Sequence, residues 1–407
     1  MMARAGWVKP RVDERLSDHI SIGLLTRVFA PDVIDGVVEA AGRTQQRVRL
    51  LPSRVVMYYV LGLALFGGSS YEEVMRMLVD GLSWSSGWKT KWTVPTKGAL
   101  FKARDRLGVE PMQALYDAVA VPLGLPGSSA FYGEWRVVSI DGTTIDLPDT
   151  LVNVERFGRP SSSRGEKVSA FPQARVAALA ECGTRAIISA AIGAYSVGER
   201  TLARQLKLVP GMLCIADRGF YGFDIWNEMR STGADLLWRT KKNHRLPVLE
   251  THDDGSYTTE LAASTDPRRQ NTVRARVIEY RIDDPTAPDR DTTYRLLTTI
   301  LDPSKAPANE LAQLYAQRWQ IESAFDELKV HQGGADLVLR SKTPTGVLQE
   351  IYAHLCVHYA IRTVMYDVAS QNALEPERIS YIRTLRVARR TTASHAGFSP
   401  QDTRRRS

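Results

Sequence analysis

The run Tyr315-Ala-Gln-Arg318-Trp-Gln-Ile-Glu322-Ser-Ala-Phe-Asp-Glu-Leu-Lys329 holds a phenol, a guanidinium, a carboxylate and an ammonium at spacings that a helix brings into line. With a step of about 100° per residue and Tyr315 at zero, Arg318 falls near −60°, Glu322 near −20° and Lys329 near −40°. Leu314, Ile321, Phe325 and Leu328 form a second, apolar stripe about 80° away. A helix built this way packs on one stripe and aims the other into a cleft. The polar stripe suits a phosphodiester: two cations and a hydroxyl for phosphate oxygens, and one carboxylate able to hold a metal. The plain alternative is a solvated i,i+4 ion pair between Arg318 and Glu322.

Two further carboxylates end apolar runs of strand texture, Val137-Val-Ser-Ile-Asp141-Gly and Leu213-Cys-Ile-Ala-Asp217-Arg-Gly. Taken singly, an aspartate before glycine marks a turn, and one closing an apolar strand serves as a helix cap.

The elements that must position these groups divide the chain by texture. Up to about Leu125 the pattern is helical: Ile20 to Ala41, a core helix from Ser53, Tyr71 to Leu82, Thr96 to Leu107 and Glu110 to Val121. In the fourth of these, Lys97, Lys102 and Arg104 follow an N-cap threonine, either as a DNA-facing surface or as the solvated side of a packing helix. From Trp135 come β-rich runs, Arg136 to Asp146, Ala174 to Ala180, Arg185 to Ile192 and Met212 to Asp217, with a helix from Val197 to Leu208. A helix from Gly222 to Thr232 and a strand from Asp235 to Thr240 continue this α/β layer. Residues 241–292 turn polar and turn-rich, as expected of an exposed β-rich insertion. The strand Tyr294 to Ile300, a helix from Ala306 to about His331 and another from Thr345 to Ala369 return to the core. From Gln371 onward eight arginines stand against three acids.

A chain of 407 residues with a formal charge of +8 has room for several cores and a surface inclined to polyanions. Cys182, Cys214 and Cys356 lie far apart, with no Cys-x-x-Cys pair and no zinc spacing, and read as buried thiols of a reducing cytosol. The longest apolar run, Val55 to Phe66, falls short of the roughly 20 residues of a membrane span. With no apolar leader at the start, the expected location is cytoplasmic and nucleoid-associated, away from membranes.

The spacing Tyr315, Arg318, Glu322, Lys329 resembles, without a gap, the Tyr-Arg-Glu-Lys signature of a group of bacterial insertion-sequence transposases with a DDE triad. The segments around Asp141 and Asp217 resemble that family's first and second aspartate motifs, in the right order. The resemblance covers nearly the whole chain. It implies an α/β, ribonuclease-H-like catalytic core with a mixed five-stranded sheet, a β-rich insertion and an all-α N-terminal domain. Its partition would be 1–125 helical and DNA-end binding, 126–240 core, 241–292 insertion, 293–370 core with the Glu322 helix, and 371–407 basic tail. It implies Asp141, Asp217 and Glu322 as catalytic and metal-holding residues. Carboxylates brought together repel one another unless cations lie between them, and oxygen donors with phosphate favour two Mg2+ ions, with Mn2+ able to substitute. The activity implied is cut-and-paste transposition: nicking at the transposon end, hairpin formation and opening, and strand transfer. Partners would be double-stranded DNA, as terminal inverted repeats and target, and a second copy of the chain in a synaptic dimer. Tyr315, Arg318 and Lys329 would hold phosphates, and Tyr294 would match an aromatic that receives a flipped base. Two other classes remain open on the residues: a DNA-binding protein that has lost its chemistry, and a metal-free hydrolase using paired carboxylates.

Overall fold

The structure is a computed structural model that describes residues 22–44, 51–85, 95–160, 169–266, 268–281, 293–334 and 337–391. In chain order the helices before the first strand are α1 (Ile22–Val28), α2 (Pro31–Ala40), α3 (Ser53–Leu65), α4 (Tyr71–Ser85), α5 (Lys97–Leu107) and α6 (Glu110–Val119). Then follow β1 (Phe131–Tyr132), β2 (Trp135–Asp146), α7 (Leu151–Phe157), β3 (Gln173–Glu181), β4 (Ile187–Ala194), α8 (Glu199–Ala203) and β5 (Met212–Ala216). Next come α9 (Phe223–Ser231), β6 (Asp235–Arg239), β7 (Glu250–Thr251), β8 (Tyr257–Ala262), β9 (Thr272–Tyr280) and β10 (Tyr294–Thr298). The chain closes with α10 (Ala308–Tyr315), α11 (Trp319–Asp326), α12 (Pro344–Gln371) and α13 (Tyr381–Thr391).

These elements form two compact units. The helical one comprises the described residues of Met1–Val121, Ile145–Gln173 and Asp326–Ser407. Its axis is α12, apolar almost all round and buried along most of its length, so it needs helices on several sides. α3, α6 and α13 supply them. The N-terminal helices therefore fold together with the C-terminal ones, and the linear partition at 125 and 371 is redrawn. The expected basic tail begins as α13, where Tyr381, Leu385 and Ala388 are buried at helical spacing. Arg389 there donates to the carbonyls of Leu65 and Gln332 at 2.6 and 2.7 Å. Residues 392–407 of that tail, 282–292 of the insertion and Ile20 lie outside the described residues.

The second unit, Pro122–Thr144 with Ala174–Phe325, carries a ten-stranded sheet in the order β4-β3-β2-β5-β6-β10-β9-β8-β7, with β1 beside β2. β2, β5 and β6 run parallel, while β10 is antiparallel to both β6 and β9. Of the expected β-rich insertion, β7, β8 and β9 continue this sheet, while most residues from Lys241 to Gly255 are exposed. In β9 Ala275, Arg276, Val277 and Ile278 are buried, because the strand lies between β8, paired from Thr272 to Val277, and β10, paired from Arg276 to Tyr280. One sheet face packs Val137, Leu213, Ile215, Leu237 and Leu296 against Leu311, Leu314 and Tyr315 of α10. The other face receives α9, where Trp226 meets Trp238 edge-on at 5.5 Å. The expected helix Val197 to Leu208 is shorter: after Ala203 tight three-residue turns carry Leu206 and Leu208 inward.

Candidate active site

Strand alternation and register bring the two aspartates together. Val137 pairs with Leu213 and Ser139 with Ile215 in the parallel β2–β5 ladder, whose last printed pair is Ile140 with Ala216. Asp141 is the next residue of β2, and Asp217 is the first residue after β5. Both continue the odd-numbered set that faces α10, since successive side chains alternate between faces. On the same face the Tyr315 hydroxyl donates to the Ala216 carbonyl at 3.4 Å, which lays the end of α10 over the end of β5.

After Tyr315 the expected single helix changes pitch twice. Ala316–Arg318 is a tighter 3-10 turn, α11 follows, and Glu327–Gln332 is a wider i→i+5 turn. Arg318 and Glu322 stay adjacent: the Arg318 Nη1 donates to Glu322 Oε1 at 2.7 Å and stands 3.8 Å from Asp141 Oδ2. Lys329 lies beyond the change of pitch, where a uniform 100° step no longer assigns it to the Glu322 stripe.

The electrostatics reflect this grouping. The Asp141 carboxyl is pushed up to about 6, chiefly by burial, with the charges of Asp217 and Glu322 adding to the shift. The Gly142 N–H, 2.8 Å from Asp141 Oδ1, and Arg318 act the other way. Burial works against the Arg318 charge, yet the hydrogen bond to Glu322 keeps its pKa above the ordinary value. Burial raises the Tyr315 phenol, which stays protonated as a donor.

Contacts distant in sequence hold this arrangement. Gln320 of α11 accepts the Gly183 N–H at 2.6 Å, fastening the helix to the β3–β4 turn. Gly183 has φ +81°, and a Cβ there would meet the Ser129 carbonyl carbon at 2.6 Å, so only glycine fits. α10 starts at a proline cap with no side-chain bond of its own. Asp254, from the segment read as insertion, accepts the Ala308 N–H at 2.9 Å instead. Buried Arg276 donates to the Ile300 and Ala306 carbonyls at 3.3 and 2.5 Å. Neither residue was singled out from sequence, because their partners are remote in the chain. Glu199 was missed too: a Cβ on Gly142 would meet its carboxyl carbon at 2.6 Å, so a fourth carboxylate lies against the backbone beside Asp141.

The remaining candidates are placed differently. Arg104 is buried, with its guanidinium donating to Gln349, Ser341 and the Gly346 carbonyl at 2.9 to 3.0 Å, so its role is internal and the DNA-contact expectation is corrected. Lys97 and Lys102 on the same helix are exposed. Tyr294 is 9% exposed, stacked on Tyr280 at 5.2 Å, with the Arg239 guanidinium 4.0 Å over its ring. It offers little surface to a base. The three cysteines are buried and form no disulfide among the described residues.

Residues 133–359 match the family model described as the transposase DDE domain, and residues 19–117 match that of the insertion element 4 transposase N-terminal region. The chain belongs to the IS4 family of DDE transposases. It is similar to the transposase InsG for insertion sequence element IS4 of Escherichia coli (strain K12), with 25% identity over 383 residues covering 91% of this chain and 83% of that protein. A putative transposase, InsZ, of the same organism is 24% identical over 197 residues, covering 47% and 62%. A solved piggyBac transposase synaptic complex with hairpin DNA superposes with a TM-score of 0.47 at 11% identity, covering 94% of this chain and 82% of that one, a likeness too weak to assign a fold.

DDE transposase domains generally use divalent metal ions. Among the described residues of this transposase, no three His, Cys, Asp or Glu side chains stand close enough to hold one as they are. The donor chemistry nevertheless fits. Asp141, Asp217 and Glu322 offer only carboxylate oxygens, the set that hard cations take. Their mutual repulsion calls for positive charge, which the Arg318 guanidinium supplies here. Among the described residues no helix is long and apolar enough to cross a membrane.

Proposed function

We propose that this transposase carries out cut-and-paste transposition with Asp141, Asp217 and Glu322 as its catalytic carboxylates, on a ribonuclease-H-like core. The observation that carries the reading is the position of Asp141 and Asp217 directly after the last pair of the parallel β2–β5 ladder, with Arg318 joining Asp141 to Glu322. The order of β4-β3-β2-β5-β6, with helices on both faces, supports the core assignment. Two divalent cations held by the acids, Mg2+ or Mn2+, would activate water or a 3′-hydroxyl and stabilise the leaving oxygen at phosphorus.

The chain's own residues supply orientation and charge. Tyr315 anchors the helix that carries Glu322, Arg318 orients that carboxylate and is the nearest donor for a phosphate, and Gly142 fixes Asp141 Oδ1. Lys329, Lys97 and Lys102 add cations for the backbone of the element ends. The sequence of steps would be end nicking, hairpin formation, hairpin opening and strand transfer. The DNA would be terminal inverted repeats and target, held by a synaptic homodimer in the bacterial cytoplasm.

The test is incubation of the purified protein with DNA carrying its element ends and Mg2+, scored for nicks and hairpins on denaturing gels. Asp141→Asn, Asp217→Asn and Glu322→Gln should each abolish cleavage while leaving DNA affinity largely in place, since affinity comes from cations elsewhere. Cleavage that persists in any of the three, or in excess chelator, refutes the assignment. Binding without cleavage in the unaltered protein would favour a DNA-binding descendant that has lost the chemistry.

A further inference from the structure

The helical unit contains a cavity of about 380 Å³, and none of its lining residues belongs to the acid site. Its walls are apolar and aromatic, supplied by Tyr71, Leu100 and Phe101. Phe101 is 53% exposed although it is a large apolar ring. Arg340 lies over the Tyr71 ring at 5.1 Å and donates to the Ser69 and Leu63 carbonyls at 2.6 and 3.0 Å, which fixes that wall. Arg104, bound as described above, stiffens the floor.

The mouth is positive. Lys97 and Lys342 are exposed on the lining, with Lys97 3.8 Å from Glu72, and Asp105 is the acid among the lining residues. α5 and α12 both begin here, each capped by a threonine, Thr96 and Thr343. Their first turns bring partial positive charge and N–H groups to the same opening.

Ligand classes can be separated by what each would use. An apolar peptide side chain would fill the walls and gain nothing from the cations. A lone phosphate would use the mouth and leave the aromatic rings wet. A nucleotide uses both, since every base has a face to stack on a ring and its phosphate pairs with lysine. We propose that this cavity takes one unstacked nucleotide of a DNA strand, with the base against Phe101 and Tyr71 and the phosphate at Lys97 and Lys342. The inference rests on the DNA substrate proposed above.

The test uses the full chain and a five-nucleotide single strand with 2-aminopurine at its centre, read by fluorescence. Binding should change the emission. Phe101→Ala should weaken it roughly ten-fold, and Phe101→Trp should restore it, as expected of stacking. Lys342→Glu should weaken binding and reduce its salt dependence by about one unit of slope. Phe101 and Lys342 are exposed, so both variants should melt with the unaltered protein. Equal binding by the unaltered protein, Phe101→Ala and Lys342→Glu overturns the proposal. So does free 2-aminopurine deoxynucleoside monophosphate binding as tightly as the oligonucleotide, because the site would then take a free nucleotide. Hairpin formation scored in parallel separates the readings: cleavage with no Phe101-dependent signal sinks the cavity alone, and a Phe101-dependent signal without cleavage sinks only the transposition chemistry.

Discussion

Replacing Asp141 with Asn should make the metal-free protein more stable at pH 8. The Asp141 carboxyl is pushed up to about 6 from an ordinary 3.8, chiefly by burial. At about 1.4 kcal/mol per unit, holding it ionised in the folded state costs roughly 3 kcal/mol. Because the folded value is the higher one, the native chain binds more protons than the unfolded chain between these two values. Stability contributed by this group is therefore greatest in acid, falls as pH rises through 6, and is flat above. Asn keeps an oxygen for the Gly142 N–H and sheds the charge. The attraction of Arg318 at 3.8 Å is already contained in the value of about 6, so its loss subtracts nothing further. The gain is about 3 kcal/mol, or about 6–12 °C in Tm for a unit of this size. Calorimetry in EDTA at pH 8 and pH 4 reads it directly, with the difference nearly gone at pH 4. A fall in Tm at pH 8, or a rise of equal size at both pH values, would refute the reasoning.

Two other perturbations test the supports of the fold. Arg104→Ala should lower stability by about 3–5 kcal/mol, since it removes the donor to buried Gln349 Oε1 and the guanidinium 3.7 Å from buried Glu350, whereas the exposed Lys102→Ala should stay within about 0.5 kcal/mol; urea melts of the two compare them. Asp254→Ala removes the cap that the β-rich segment lends to α10 and should cost about 1 kcal/mol, with slower end cleavage as Tyr315 and Glu322 lose their fixed helix. Loss of cleavage with no change in the melt would place Asp254 in a different role.

Local periodicity was readable from the chain, and contacts between remote residues were not. Val137, Ser139 and Asp141 alternate with the same period as Leu213, Ile215 and Asp217, and that period places both acids on one face. The core helix at Ser53 and the long one at Pro344 follow from apolar runs in the same way. Arg104 defeats such reading. Its basic neighbours suggest a wet surface, but its partners Ser341, Gly346 and Gln349 lie 237 to 245 residues away. The segment from Lys241 to Arg281 is harder to read for a similar reason: its polar residues include turn chemistry, while buried Arg276 and exposed Asp254 both spend their charges on the approach to α10. Pitch was invisible as well. The 3-10 turn at Ala316–Arg318 and the wider turn at Glu327–Gln332 depend on packing around the helix, so an angular sum holds for Arg318 and Glu322 and loses meaning by Lys329.

Arg318 connects the site's charge balance to its substrate. It is 9% exposed and gives one hydrogen bond to Glu322 while facing Asp141, so as it stands it neutralises acids and presents little of itself to a phosphate. One guanidinium is a small share of positive charge for Asp141, Asp217 and Glu322 together, and burial pushes the Asp141 pKa up despite it. On the proposed reading, charge supplied to the carboxylates from another source lets Glu322 turn from Arg318 and leaves the guanidinium for a phosphate oxygen. Loading the acids and exposing the phosphate-binding arginine then become a single event, which keeps the site from engaging DNA before it is able to cut.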